Sequence, residues 1–242
     1  MPRNNNEFFM VSGARTQKQV NEAGLKAYIR KVFNYMGLSL ALTAGASWLL
    51  IRGGLLPMFI NPMGTGLNAL GHIVMFAPLG IVLFMSFSRS ITAAGSKVAL
   101  YAIAVLMGMS VSMMALYAGV HTTFQAFLIT SAVFGAMSIW GYKTDADLTK
   151  MGSILMMAMI GLLIVSLVGF FTGGVGIWFS YAVVGVFTLL IAFNVQQIKN
   201  IYAMTGGTGE VADRLAVQSA LSLYLNFINI FIHLMRIMGD RR

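Results

Sequence analysis

The chain has 242 residues, of which 58% are apolar and 10% are charged. A soluble domain is about 45–50% apolar and about 25% charged, so this composition excludes a water-soluble globule. Cysteine is absent, which excludes disulfides, thiolate nucleophiles and cysteine-ligated metal centres. The 16 Lys and Arg residues outnumber the 7 Asp and Glu residues and give a net charge of +9.

Seven nearly uncharged runs of about 20 residues follow the polar start of the chain, and each is long enough to cross a bilayer as a helix. They lie at residues 32–51, 70–88, 98–118, 122–141, 152–171, 177–196 and 217–238. The runs are continuous, whereas the strands of a membrane β-barrel alternate in short segments. The sequence therefore predicts an all-α polytopic membrane protein with seven transmembrane helices. Residues 1–31 are expected to form a polar basic tail, and residues 32–242 a seven-helix membrane domain.

The basic residues lie mainly in the tail and in the connections after the second, fourth and sixth runs. Positive charge favours the cytoplasmic side, which predicts a cytoplasmic N-terminus and, after seven crossings, an external C-terminus. Arg236, Arg241 and Arg242 oppose the external C-terminus, and a last segment that does not cross would satisfy them, so this point stays open. Because the cations flank apolar runs and form no basic face, the expected partner is the lipid bilayer and not nucleic acid.

The seventh run carries a polar stripe. Its polar side chains are spaced three or four residues apart, which places them on one side of a helix. All other sides of the helix are apolar, so other helices are expected to surround it, and the stripe is expected to face a partner helix or a water-filled pathway. The stripe consists of Ser219, Ser222, Asn226, Asn229, His233 and Arg236.

The sixth run ends in a cluster of amides that includes Asn194, and we expect Asn194 and Asn226 to meet between the sixth and seventh helices. Such amides either form interhelical hydrogen bonds, worth about 0.6 kcal/mol on average, or line a polar pathway. His233 is either a pH switch, since imidazole titrates near pH 6.5, or a hydrogen-bonded interior residue. The candidate residues for an ion pathway or a latch are Asn194, Asn226, Asn229 and His233.

The acidic residues all lie outside the seven runs, so no carboxylate within them can relay protons or bind a hard cation. The seventh run contains no lysine, which excludes a retinal Schiff base. The glycines of residues 206–209 lack the lysine of a phosphate-binding loop and predict a turn. No set of residues matches a catalytic arrangement, so we expect no enzyme activity, no cofactor and no bound metal centre.

Three stretches of the chain, residues 75–87, 134–152 and 221–229, resemble the Bax inhibitor family in its bacterial YccA-like branch. The resemblance covers the chain from about residue 25 to the C-terminus. It implies a seven-helix fold with a central last helix in the bacterial inner membrane. It also implies ion permeation, described in this family as a pH-sensitive calcium leak, and an association with the membrane protease FtsH.

The chain departs from the family at the pH sensor, which the resemblance implies is a pair of aspartates between the last two helices. The Tyr-Asp-Thr-Gln motif of the family reads Phe-Asn-Val-Gln at residues 193–196, and the Leu-Tyr-Leu-Asp-Phe-Ile-Asn motif has Asn226 in place of its aspartate. Two facing carboxylates share a proton and repel each other when both ionise, whereas two amides do not titrate. We therefore expect a calcium leak scaffold in which Asn194 and Asn226 form a latch that does not respond to pH.

A second hypothesis belongs to another functional class. In it the protein transports nothing and acts as a membrane partner or modulator of the FtsH quality-control protease. The charged tail of residues 1–31 offers a segment for such a partner to hold, although a tail of this kind also serves simply to orient the first helix.

Overall fold

A computed structural model of the chain describes residues 5–62, 66–87 and 91–239, and it describes their side chains from Glu22 onward except at residues 86 and 87. Within these ranges the regular structure is helical, apart from a single isolated bridge between Ile60 and Leu67. The helices are α1 (Asn5–Arg52), α2 (Ala69–Phe87), α3 (Ala93–Ala118), α4 (Val120–Lys143), α5 (Thr149–Thr172), α6 (Ile177–Thr205) and α7 (Gly209–Gly239), and a short 3-10 helix (Leu56–Phe59) precedes α2.

Each of the seven predicted runs lies in one of these helices, apart from Ser88 at the end of the second run, which is outside the described residues. Six of the helices are long and apolar enough to cross a membrane. The exception is α2, whose fully described apolar part, Ala69–Met85, is shorter. Pro78 lies inside α2 and does not end it. The prediction of an all-α membrane protein is confirmed, and the prediction of seven spans is confirmed for six.

The helices extend beyond the apolar runs that predicted them. α6 continues through Lys199 to Thr205, and α7 begins at Gly209, ahead of its predicted run. A helix keeps its backbone hydrogen bonds where it leaves the hydrocarbon, so charged residues in the headgroup region do not end it. α1 begins at Asn5, so the helix continues across the boundary that we predicted between residues 31 and 32. Arg89, Asp240, Arg241 and Arg242 lie outside the described residues.

α7 is the central helix, as the sequence predicts. It packs against α1, α3, α4 and α6. In the most apolar stretch of α7, 61% of the residues are buried inside the protein. The corresponding share is 11% for α5, which contacts α6 at the periphery of the bundle. The predicted turn between α6 and α7 is also present, because Gly206 ends α6 in the left-handed conformation. The candidate residues Asn226, Asn229 and His233 of α7 therefore lie on the central helix of the bundle.

Glycines allow the central helices to approach closely. A Cβ at Gly108 of α3 would collide with the carbonyl oxygen of Thr43 in α1, and a Cβ at Gly141 of α4 would collide with the carbonyl oxygen of Ala192 in α6. Small residues at such crossings let the backbones of membrane helices touch, which gives dispersion contacts that lipid cannot replace. These crossings fix α1 against α3 and α4 against α6, around α7.

Candidate functional site

Asn226 lies near the middle of α7 and is only 4% exposed. Its side-chain nitrogen is buried and has no hydrogen-bond partner among the described residues. A buried donor without a partner costs about 1–3 kcal/mol, and few such groups occur in a native protein. Asn226 is therefore the polar group of α7 that most needs an explanation.

Asn194 lies half-buried on α6, the helix that packs most extensively against α7. In the described part of the chain, no hydrogen bond joins the side chain of Asn194 to that of Asn226. The structure thus brings their two helices together without showing the amide pair of the predicted latch, which stays a prediction.

His233 lies one turn beyond Asn229 on α7 and faces the start of α6. Its Nδ1 lies 3.0 Å from the hydroxyl oxygen of Ser180, which is itself fully buried. The ring of Phe179 meets the imidazole edge to face, with 5.6 Å between the ring centres. The guanidinium of Arg236, one turn farther along, donates to the carbonyl oxygen of Val175 in the α5–α6 connection. These two residues fasten the end of α7 to the beginning of α6.

The rest of the polar stripe bonds to its own helix. Asn229 donates through its side-chain nitrogen to the carbonyl oxygen of Leu225 at 2.8 Å. The hydroxyls of Ser219 and Ser222 donate to carbonyl oxygens one turn earlier, and Ser222 is exposed. Side chains satisfied in this way do not form a continuous polar lining, so within the stripe Asn226 differs from its neighbours.

A buried cluster of hydroxyls between α1, α3 and α7 was not predicted from the sequence. The Thr43 hydroxyl lies 2.9 Å from the carbonyl oxygen of Ala104 and 2.7 Å from the hydroxyl of Tyr224, which is fully buried. A single threonine within an apolar run gives no signal of such a role, because threonine in a helix commonly bonds to its own preceding turn.

A second unpredicted set of contacts holds the first turns of α7 to α1 and α3. Lys31 forms an ion pair with Asp213 at 2.5 Å. The carboxylate of Glu210 accepts a hydrogen bond at 2.6 Å from the backbone N–H of Ala93, the first residue of α3. An acidic group at a helix N-terminus is stabilised by the partial positive charge of the exposed N–H groups. Both carboxylates lie in the polar end of the bundle, outside the predicted apolar runs.

The amide Gln196, which the sequence places at the end of the sixth run, holds the connection between α4 and α5. Its side-chain nitrogen donates to the carbonyl oxygen of Ala146 at 2.8 Å, and its side-chain oxygen accepts from the backbone N–H of Leu148 at 2.9 Å. Lys199, one turn later, donates to the carbonyl oxygen of Tyr142 at 2.9 Å. Side chains of α6 thus hold both ends of this loop by hydrogen bonds to backbone atoms of residues 142–148.

Among the described residues, no group of three or more His, Asp or Glu side chains is arranged to hold a metal ion. In the described part of the chain, the polar stripe of α7 consists of amides, hydroxyls, the His233 imidazole and the Arg236 guanidinium. Its amides and hydroxyls can hydrogen-bond to water and can offer neutral oxygens to a passing cation, but they hold a divalent ion less tightly than carboxylates do.

Comparison with known proteins identifies the relatives of the chain. The family model described as inhibitor of apoptosis-promoting Bax1 matches residues 25–242. An uncharacterized protein of Rickettsia prowazekii, RP147, is 43% identical over 226 residues, which cover 91% of this chain and 92% of that protein.

Two more distant bacterial relatives cover the chain to a similar extent. The inner membrane protein YbhL of Escherichia coli K12 is 32% identical over 91% of this chain and 94% of its own length. An uncharacterized membrane protein of Streptococcus pyogenes serotype M3 is 35% identical over 90% of this chain and 95% of its own length. Together with the six spanning helices, these relatives confirm the predicted integral membrane protein of the bacterial inner membrane.

Proposed function

The chain belongs to the Bax inhibitor family, and from this we propose that it is a non-enzymatic, channel-like membrane protein through which cations, calcium among them, leak along α7. The cation is the cargo and is held only in passing. In this proposal Asn194 and Asn226 stand where the family resemblance implies two aspartates, and the leak does not depend on pH.

The observation that supports the proposal is the unpartnered side-chain nitrogen of Asn226 in the centre of the bundle. An apolar residue of similar volume at this position would avoid the cost of a buried, unpaired donor. Polar groups retained inside a membrane protein at such a cost commonly belong to a pathway for water or ions. Water or the hydration shell of a passing cation would supply the missing partner of Asn226.

The same geometry supports the loss of pH sensing. An amide has no titrating proton between pH 5 and 8, and no carboxylate lies within the predicted apolar runs. His233 is the titratable imidazole of the stripe, and it is engaged by Ser180. Within the stripe, a pH response would therefore have to arise at His233, and changing His233 to glutamine would remove that response.

The test is calcium flux into liposomes between pH 5 and 8. The native chain is compared with the double variant Asn194→Asp plus Asn226→Asp, and Ser222→Asp, at an exposed position of the same stripe, serves as the control. We expect a flat pH profile for the native chain and a pH-dependent leak for the double variant alone. A native flux whose midpoint persists in His233→Gln would contradict the loss of pH sensing, and silence of both proteins would contradict the channel.

A second candidate function is that of a non-transporting partner of the FtsH protease. The observation that favours it is the length of α1, which has 48 residues, whereas about 20 suffice to cross the hydrocarbon. A helix that continues beyond the bilayer offers a segment for a partner to hold. Affinity purification of the native chain from its own membrane tests this, with a variant that lacks residues 1–21 as the control. Recovery of the protease with the native chain alone is the expected result, and equal or no recovery would contradict it.

A further inference from the structure

A cavity of about 620 Å³ opens between α1 and α4 on the outer side of the bundle. It is lined by side chains of these two helices, and Val195 of α6 closes its back. Its volume lies within the range of about 300–1,000 Å³ that is usual for small-molecule sites. Its inner part is lined mainly by apolar and aromatic side chains, and the rings of Phe33 and Phe134 meet with 6.2 Å between their centres. The cavity therefore suits a hydrocarbon chain more than a hydrated solute.

Three cations line one end of this cavity. Lys26 and Arg30 lie one turn apart on α1, and Lys143 is the last residue of α4. All three side chains are exposed, and within the described residues none of them is paired with a carboxylate. No acidic side chain lines the cavity. The orientation predicted from the loop charges places this end at the cytoplasmic face, where the leaflet carries anionic lipids.

Ser138 supplies an independent sign of a ligand. It lines the cavity, is only 8% exposed, and its hydroxyl oxygen is itself buried without a hydrogen-bond partner among the described residues, so a rotation of the side chain brings the hydroxyl to a ligand in the cavity. Ser138 precedes Lys143 by five residues, which places it about 7.5 Å deeper along α4 at 1.5 Å per residue. Moving inward, the cavity thus presents cations, then a hydroxyl that lacks a partner, then aromatic rings.

We propose that this cavity binds an anionic phospholipid of the cytoplasmic leaflet. The phosphate lies among Lys26, Arg30 and Lys143, the glycerol ester accepts a hydrogen bond from Ser138, and an acyl chain lies along Phe33 and Phe134. The order of charge, ester and hydrocarbon in a phospholipid matches the order of these groups in the cavity. A zwitterionic lipid fits less well, because its own ammonium group offsets the phosphate and is repelled by the three cations.

The test measures lipid binding to the delipidated full-length chain in detergent. Phosphatidylglycerol and phosphatidylcholine with identical acyl chains are titrated, and bound lipids are counted by native mass spectrometry. We expect phosphatidylglycerol to bind at least tenfold more tightly. The double variant Arg30→Gln plus Lys143→Gln should lose about fivefold affinity for phosphatidylglycerol per removed charge, with little change for phosphatidylcholine. Lys150→Gln removes an exposed charge outside the cavity, on the same side of the bundle, and should change neither affinity.

A variant that occupies the cavity tests whether the lipid binds there. Nothing lies within 4 Å of a Cβ built at Gly135, which lines the cavity, or at Gly161 on α5, which does not. Gly135→Leu extends a side chain from this open position into the cavity and should lower the number of bound phosphatidylglycerol molecules by one, whereas Gly161→Leu should not. Equal binding of the two lipids by the native chain would overturn the proposal. Unchanged binding in the double variant or in Gly135→Leu would also overturn it.

Discussion

The hydroxyl of Tyr224, at the centre of α7, donates a hydrogen bond to the hydroxyl of Thr43 in α1 over 2.7 Å. The direction follows from the other contacts of Thr43, whose oxygen lies 2.9 Å from the carbonyl oxygens of Ser39 and Ala104. Carbonyl oxygens only accept, so the single hydroxyl proton of Thr43 is directed to them and Tyr224 must supply its own. One threonine side chain therefore joins α1, α3 and α7.

Removal of either hydroxyl should destabilise the bundle. Thr43→Val leaves the buried Tyr224 hydroxyl without its partner, and Tyr224→Phe removes the donor. We expect each to lower the free energy of unfolding by about 0.6–2 kcal/mol, the range for polar contacts between membrane helices and for buried hydrogen bonds. The double variant should cost little more than Thr43→Val alone, because both changes remove the same bond.

Unfolding of the purified protein in detergent measures these effects. Ser222→Ala is the matched control, since its exposed hydroxyl bonds only to the preceding turn of the same helix. Strict additivity of Thr43→Val and Tyr224→Phe would show that the two hydroxyls do not interact.

Gly108 should not tolerate even one added methyl group. A Cβ there would collide with the carbonyl oxygen of Thr43 and with the side chain of Ala46, and neither has space to move because α1 and α3 cross at this point. We expect Gly108→Ala to destabilise the protein by about 1–3 kcal/mol, as overpacking of a tight core does. Gly161→Ala adds the same methyl group to open space, so an equal loss in the two variants would contradict the close crossing.

Asn226→Leu should make the protein more stable and abolish the proposed leak. The change replaces a buried amide whose nitrogen has no partner with an apolar side chain of similar volume, and it should stabilise the fold by about 1 kcal/mol or more. Paired measurements of unfolding and of calcium flux test both parts. Asn229→Leu is the control, because that amide is already bonded within its helix. Destabilisation by Asn226→Leu would instead indicate that the amide is paired, as in the predicted latch.

Asp147 should contribute to stability above acidic pH only. Its carboxylate accepts hydrogen bonds from Thr149 at the start of α5, and these lower the pKa of Asp147 below the usual 3.8. The unfolded chain binds this proton more tightly, so the contribution is complete well above the unfolded pKa of 3.8 and is lost as the pH falls through the lowered pKa. The unfolding temperature of Asp147→Asn should lie slightly below that of the native chain at pH 6, and the difference should shrink as the pH is lowered below 3.8. Asp145→Asn removes the same charge from an exposed site in the same loop and serves as the control.

The seven helices and the central place of α7 could be predicted because both depend on local composition. A helix that is apolar around most of its circumference must be enclosed by neighbours or lipid, and a polar stripe on it favours neighbours. The exact extent of the helices could not be predicted, since composition marks the hydrocarbon boundary and not the end of the backbone hydrogen bonds. This is why Lys199 lies within α6.

The hydrogen bonds of the candidate site could not be predicted from the sequence. The spacing of the stripe showed that its polar residues share one side of α7. Spacing does not reveal that Asn229 bonds to its own helix, whereas the side-chain nitrogen of Asn226 has no partner among the described residues. The partners of Thr43 lie 61 and 181 residues away in the chain. Such pairings depend on how the helices are arranged around α7, and local periodicity carries no information about that arrangement.

The hydrogen bonds from Gln196 to the α4–α5 loop affect how the sequence of this loop can change in evolution. Gln196 binds Ala146 and Leu148 through their backbone atoms, which every residue type except proline provides. These two hydrogen bonds therefore do not depend on which side chains the loop carries. Asp145 is exposed, so a lineage can replace its side chain while the loop keeps its path. The loop thus tolerates sequence change at this position without refolding.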